Sequence, residues 1–291
     1  MQKDLIGLIS SMMPGFSKGQ KLIARYTVEH YDKAAFMTAA KLGQAVGVSE
    51  STVVRFASEL GFDGYPQFQS ALQELIRNRL TNVQRLEITG EQIGGGDILE
   101  RVLTADIDKI RRTLEETSRH DFAEAVEAIL GARNIYILGI RSALSLATFL
   151  NYYFNHIFEN VKLISASSTS DVFEQLIKIK PEDVFIGLSF PRYSQRTIVA
   201  VKFAKEQGAK TIAITDSSVS PLAESADHCL FARSDMWSFV DSLVAPLSLV
   251  NALIVAVGMR RKEAVSSSYE ALERIWDHYD VYAKASDIDG I

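Results

Sequence analysis

The chain carries a single cysteine, Cys229, among 291 residues. One thiol excludes an internal disulfide framework and a cysteine-rich zinc site, and it suits a reducing compartment, so a cytoplasmic location is expected. No uninterrupted apolar run approaches the ~20 residues that span a bilayer, so no membrane partner is expected. The opening Met1-Gln2-Lys3-Asp4-Leu5 carries an acid early and lacks the apolar stretch of a secretory signal. The Gly-x-x-x-x-Gly-Lys-Ser/Thr phosphate loop is missing, as is the Gly-x-Ser-x-Gly nucleophile elbow. His30, His120, His156, His228 and His278 show no metal-ligand spacing, so neither a metal nor a cofactor is expected.

What remains is a chain that is 47% hydrophobic and 23% charged, suited to a globular fold and long enough for two domains. Its charge is uneven. Residues 1–86 hold ten Lys and Arg against seven Asp and Glu, whereas the other 205 hold 21 against 29. A basic first quarter on an acidic body suggests that one end meets a polyanion.

From Leu5 to about Leu80 the apolar spacing is helical, which predicts an all-α domain over 1–80. Leu5, Leu8, Ile9 and Met12 share a face of a helix that Pro14-Gly15 ends, and Ser17 precedes a second stripe through Leu22, Ile23, Tyr26 and Val28. Thr38 opens a short third helix. After Val46-Gly47-Val48, Ser49 is suited to cap a fourth, which Gly61 ends. A further helix is expected over Tyr65 to Leu80. The three glycines Gly94–Gly96 mark residues 81–97 as a linker and hinge.

Beyond it, over 98–291, two amphipathic helices lead into an alternation of β-rich runs with helical stretches. The runs are 135–138, 161–164, 184–188, 211–214 and, less regular, 228–231. Such alternation predicts a three-layer α/β sandwich around a parallel sheet. An apolar helix over 243–258 follows, readable as core or as an oligomer face, then a polar one over 268–282.

A short helix, a tight turn with glycine and a second helix form a helix-turn-helix. Ala40 and Val48 are expected to pack the two helices, with Val53, Val54 and Leu60 pointing inward. Glu50, Ser51, Thr52 and Arg55 then face outward beside the cap Ser49, where acids, hydroxyls and a guanidinium can read base edges in the major groove of a double-stranded operator. Lys41, Lys18, Lys21 and Arg25 are candidate phosphate contacts. The same pattern also suits a helical dimerisation module in which Ser51 and Thr52 are only caps.

The run 42–68, closing on Gly61-Phe62-Asp63-Gly64-Tyr65-Pro66-Gln67-Phe68, resembles the helix-turn-helix domain of the RpiR/MurR family of bacterial transcriptional regulators. That family joins the module to a phosphosugar-binding SIS (sugar isomerase) domain. The resemblance implies a one-component regulator whose operator binding, as a homodimer or homotetramer, responds to a small anionic metabolite, a sugar phosphate being the usual class. In an open parallel sheet ligands bind beyond the carboxyl ends of the strands. The resemblance carries over Gly139, Arg141 and Ser142 in the first such loop and Ser189 and Ser194 at the ends of the third. The hydroxyl-rich second loop, with Ser167, suits either a sugar or the cap of the following helix, and Arg192 suits either the ligand or an acid at a subunit contact. In the third loop Pro191 and Arg192 depart from the family's Ser-x-Ser/Thr-Gly-x-Ser/Thr pattern. Proline offers an anion no N–H and arginine lacks glycine's close backbone approach, yet Arg192 brings a five-donor fork. Thr215 and Asp216 either join the crevice or serve as turn chemistry.

Two other readings stand beside this one. An aldose–ketose isomerase needs a base and an acid, for which Glu174 and His156 are the candidates. A non-catalytic scaffold would use its second domain only to dimerise. No catalytic residue is expected.

Overall fold

The computed structural model describes residues 5–76, 81–93, 97–234 and 238–282. The chain forms two compact units, Met1–Ala105 with Met236–Asp241 and Asp106–Asp235 with Ser242–Ile291.

The first unit is helical: α1 (Leu5–Met12), α2 (Lys18–Glu29), α3 (Tyr31–Ala34), α4 (Ala39–Val46), α5 (Glu50–Glu59), α6 (Tyr65–Ile76) and α7 (Asn82–Ile93). Its starts follow local capping chemistry. Ser17 and Gln20 form a reciprocal capping box at α2, and Thr38 and Ser49 accept first-turn N–H groups at α4 and α5. The core gathers Ile9, Phe16, Ile23, Leu42, Val53, Phe56, Phe68 and Leu72.

The expected linker over 81–97 is corrected in part, because Asn82–Ile93 is helical. Thr81 Oγ1 accepts the Gln84 N–H at 3.3 Å while Gln84 Oε1 accepts the Thr81 N–H at 2.9 Å, a start signal that the glycine triplet overshadowed. Gly94–Gly96 and Arg77–Leu80 lie outside the described residues. The expected domain start at 98 also shifts. Helix α8 (Ile98–Glu116) is continuous, and the division between the units falls within it, at Ala105/Asp106.

The second unit is the α/β sandwich. After α9 (Arg119–Leu130), the chain runs β1 (Ile135–Gly139), α10 (Ala143–Phe154), β2 (Val161–Leu163), α11 (Thr169–Leu176), β3 (Val184–Leu188), α12 (Gln195–Glu206), β4 (Lys210–Thr215) and β5 (His228–Phe231). It ends in α13 (Val244–Arg260) and α14 (Lys262–His278), the latter beginning six residues before the expected 268. Among the described residues the five strands form one parallel sheet in the order β2-β1-β3-β4-β5. Continuous apolar runs such as Ile135–Leu138 and Val184–Leu188 belong in strands covered on both faces, and every residue of β1 and β3 is buried. Alternate residues feed two cores. Ile135, Ile137 and Ile186 pack with residues of α9, α10 and α13, whereas Tyr136, Leu138 and Phe185 pack with residues of α11 and α12. In α13, Leu249, Val250, Leu253, Ile254 and Val257 are core, while Leu247, Val255 and Met259 face outward. Among the described residues no single helix is long and apolar enough to cross a membrane.

Candidate functional sites

The helix-turn-helix is built by backbone contact. Gly47 ends α4 in the left-handed region at φ 72°, which turns the chain without a Cβ penalty. The Val48 N–H then donates to the Gly43 carbonyl at 2.9 Å, and a Cβ on Gly43 would lie 2.8 Å from the Val48 carbonyl oxygen. Gly43 therefore sets how closely α4 meets the start of α5. Two expectations are corrected. Ala40 is exposed, with Ala39, Leu42 and Gly43 on the buried side of α4. Val54, 38% exposed, lies on the outer side of α5, since it sits between the buried Val53 and the exposed Arg55 in a 3.6-residue period.

Ser49, Glu50, Ser51 and Arg55 are exposed, and Thr52 is half-buried. Ser49 Oγ accepts the Thr52 N–H at 3.3 Å and lies 2.9 Å from Ser51 Oγ and 2.8 Å from Thr52 Oγ1. The hydroxyls are thus ordered against one another at the positive end of the helix. Arg55 Nε donates to the Ser51 carbonyl at 3.3 Å, which aims the guanidinium back toward that end. Lys41, Lys18, Lys21 and Arg25 are exposed on α4 and α2.

Behind this face the Gly-Phe-x-Gly-Tyr-Pro-x-Phe segment has a definite job. Phe56 is buried edge-on between Phe16 and Phe68, with ring centroids 5.2 and 5.7 Å away. Tyr65 donates its hydroxyl to the Met37 carbonyl at 2.7 Å, Gln69 donates to the same oxygen at 2.8 Å, and Gln73 donates to the Ala35 carbonyl at 2.9 Å. Burial pushes the Tyr65 phenol up to about 12, so it stays a donor. Gln20 also donates to Glu59, tying α2 to the end of α5. Gln69, Gln73 and Gln20 are fixing residues that periodicity alone did not single out.

In the second unit the chain leaves β1 for β2 on one side, then crosses to β3 on the other. The crevice of an open parallel sheet lies at such a switch point, beyond the carboxyl ends of the strands. The loops after β1 and β3 flank it. Gly139 closes β1, where a Cβ would lie 2.4 Å from the Ala143 carbonyl oxygen, so α10 packs directly on the strand end. Arg141 follows at φ 58° and Ser142 precedes α10 without forming a side-chain cap. After β3, Arg192 stands at φ 62°. Both exposed arginines thus hold left-handed backbone, which costs an L-residue ~1–2 kcal/mol. The arginine that stands where the family pattern has glycine keeps the conformation that glycine would adopt freely.

The hydroxyls around them are largely engaged. Ser189 is buried and its Oγ accepts the Ser194 N–H at 3.0 Å, and Ser194 Oγ in turn accepts the Thr197 N–H at 3.3 Å. Thr215 is fully buried; its Oγ1 lies 2.9 Å from Ser220 Oγ and donates to Asp216 Oδ1 at 3.2 Å. The buried Asp216 also accepts from the Tyr193 hydroxyl at 2.8 Å, which joins the third loop to the end of β4. Ser167 is exposed and donates its N–H to Asp171 at 3.2 Å, while its neighbour Ser168 caps α11. Arg196 donates to the Ala166 carbonyl at 2.7 Å and so holds the second loop to α12. Tyr193 and Arg196 are missing from the sequence-based set. Their roles depend on loops from different strands becoming neighbours. Thr197, fully buried in the first turn of α12, has a hydroxyl without a hydrogen-bond partner among the described residues.

Glu174 and His156 are not brought to one edge. Glu174 is exposed on α11, which starts at the carboxyl ends, and accepts from Ser170 at 2.9 Å. His156 lies in the segment entering β2, at the amino ends, between the rings of Tyr152 and Tyr269.

Comparisons with known proteins agree with this architecture. A family model described as the helix-turn-helix domain of the rpiR family matches residues 3–79, and a SIS domain model matches residues 128–256. The transcriptional regulator HexR of Pseudomonas aeruginosa is 23% identical over 265 residues, 89% of this chain and 90% of that protein. The sugar isomerase domain of an RpiR transcription factor from Sphaerobacter thermophilus is 30% identical, with TM-score 0.58, covering 61% of this chain and 98% of that one. The Vibrio vulnificus NanR protein, solved in complex with ManNAc-6P, shares the fold at 22% identity and TM-score 0.59, covering 97% of this chain and 100% of that one. The chain therefore belongs to the RpiR family of DNA-binding transcriptional regulators, with an N-terminal helix-turn-helix domain and a C-terminal SIS domain.

Proposed function

We propose that this regulator is switched by a small anionic metabolite, a phosphorylated sugar, bound in the crevice between the loops after β1 and β3. The observation that carries this reading is the pair of exposed guanidiniums, Arg141 and Arg192, held in left-handed backbone in the loops that follow the two adjacent strands at the switch point. Strain of this kind at a switch point is a mark of function. Guanidiniums suit a phosphate through paired donors. Gly139 sets the helix–strand approach, and Ser142, Ser167, Ser189 and Ser194 offer hydroxyls to the sugar or its phosphate. Thr215 acts beneath them by holding Asp216, and with it Tyr193. NanR, a relative in fold, binds ManNAc-6P, which supports the ligand class.

At the other end Glu50, Ser51, Thr52 and Arg55 read base edges, with Ser49 ordering the hydroxyls and Lys41 on phosphate. A symmetric homodimer or homotetramer working in the cytoplasm places two such helices on half-sites ~34–36 Å apart, or a multiple of that. The role is regulatory rather than catalytic.

Thermal unfolding of the full chain against sugar phosphates, free sugars, polyols and carboxylates tests the ligand class. A ligand at ~100 times its Kd stabilises by ~2.7 kcal/mol. Stabilisation by phosphorylated sugars alone, much reduced in Arg141→Ala/Arg192→Ala, is expected. Equal stabilisation by free sugars would remove the phosphate from the proposal.

A further inference from the structure

A second cleft, of about 520 Å³, opens at the amino edge of the sheet. Its walls are the segment entering β1 (Ala132, Arg133), the segment entering β2 (Asn155–Asn160) and the first two turns of α14 (Arg261 to Ser268). In a parallel sheet these segments lie at the edge opposite the loops after β1 and β3, so the cleft is separate from the crevice discussed above. The proposal made for that crevice does not bear on it.

Its lining carries both donors and acceptors. Arg261 stacks on Phe158, with the guanidinium 4.6 Å from the ring centroid. Among the described residues it faces no carboxylate at ion-pair distance, and its polar contact is a 3.4 Å bond to the Leu130 carbonyl. Arg133 gives Nε and Nη2 to Asp183, at 2.9 and 2.7 Å, which locks its plane and leaves Nη1 for another acceptor. Acceptors line the same cleft. Glu159 is exposed and forms no ion pair among the described residues. His156 also lines the cleft, and its Nε2 is buried without a hydrogen-bond partner. The Ser268 hydroxyl and the Asn160 amide complete a wall that is largely polar.

A guanidinium fixed on an aromatic ring selects an anionic group, and an unpaired carboxylate and an amide lining the same cleft select hydroxyls. The volume lies within the ~300–1,000 Å³ range of small-molecule sites. We infer that this cleft binds a second small ligand, an acidic polyhydroxy molecule whose carboxylate or phosphate meets Arg261 and Arg133 while its hydroxyls meet Glu159 and Asn160.

Calorimetric titration tests this on the full chain carrying Arg141→Ala/Arg192→Ala, so that the carboxyl-edge crevice is disabled. The probes are gluconate and glucose 6-phosphate, which separate a carboxylate from a phosphate as the anionic group. Saturable binding of either probe at one site per chain is expected. Arg261→Met keeps the stack on Phe158 without the donors, and Ala264→Trp fills the cleft from an exposed helix position; each is expected to weaken binding at least tenfold. The absence of binding by both probes, or binding that neither added substitution weakens, would overturn the inference.

Discussion

The two functional surfaces of this regulator are prepared in opposite ways. On α5 the groups proposed to read DNA, exposed except for the half-buried Thr52, stand on a helix locked from behind by Phe56, Phe68 and Tyr65, and their hydroxyls are ordered by one another. In the proposed crevice of the SIS domain the hydroxyls of Ser189, Ser194 and Thr215 are engaged in the fold, and the exposed groups proposed to meet the ligand are two arginines on strained backbone. A DNA face of the first kind is expected to bind without rearrangement, its contribution set by contacts. A ligand site of the second kind would exchange internal hydrogen bonds for ligand bonds, which would let occupancy alter the loops that carry them.

The sharpest separation comes from the core behind the reading helix. Phe56→Ala removes a fully buried ring and is expected to destabilise the first unit by ~3–5 kcal/mol while the sheet unit melts as before. Two resolved calorimetric transitions check this, and an equal shift in both would show that the surfaces do not rest on separate cores. Next in size is Arg55→Ala, which leaves the melting temperature unchanged because the side chain is exposed, and weakens operator binding by ~1–3 kcal/mol if it reads a base. Fluorescence anisotropy over a salt series distinguishes it from Lys21→Ala, whose expected effect is uniform across sequences with a salt slope shallower by ~0.9.

Arg192→Gly sharpens the contrast by splitting two effects of opposite sign. Removal of left-handed strain is expected to stabilise by at most ~1 kcal/mol, since glycine's extra chain entropy offsets part of the gain. Sugar phosphate binding falls in the same variant. A loss of stability together with binding would assign Arg192 to the fold.

The smallest effect is one of pH. Burial disfavours the charged form of Asp183, but hydrogen bonds from Arg133, Asn134 and the Lys180 N–H outweigh it and hold the carboxyl below its ordinary value. A depressed carboxylate stabilises above its unfolded pKa of ~3.9, and that contribution disappears as pH falls through the lower folded value. Melting temperatures of the sheet unit between pH 5 and 2 should therefore slope less in Asp183→Asn than in the parent. Parallel slopes would mean that the Arg133–Asp183 pair does not set acid stability.

Sequence reading succeeded where the signals are local. Ser17, Thr38 and Ser49 announce helix starts, Gly47 announces the turn, and the apolar runs of β1 and β3 announce a sheet covered on both faces. It failed where neighbours are distant in the chain. Thr215 is buried because β4 lies between β3 and β5, and the link from Tyr193 to Asp216 exists only because β3 and β4 are adjacent. Helix α7 was hidden by the adjacent glycine triplet, although Thr81 and Gln84 carry its start signal. The left-handed backbone of Arg192 was invisible for a different reason. An arginine in place of glycine reads as lost conformational freedom, whereas the loop keeps the glycine-like shape and accepts the strain.

The most direct test of the account is the affinity of the full-length regulator for an operator selected from random duplexes, measured with and without a saturating sugar phosphate. Coupling of ~1–3 kcal/mol, a change of roughly 5- to 150-fold, is expected in the parent chain and in Arg261→Met, and it should vanish in Arg141→Ala/Arg192→Ala. An operator affinity that ignores every sugar phosphate, or a response that survives the loss of both arginines, would contradict the crevice as the seat of the switch.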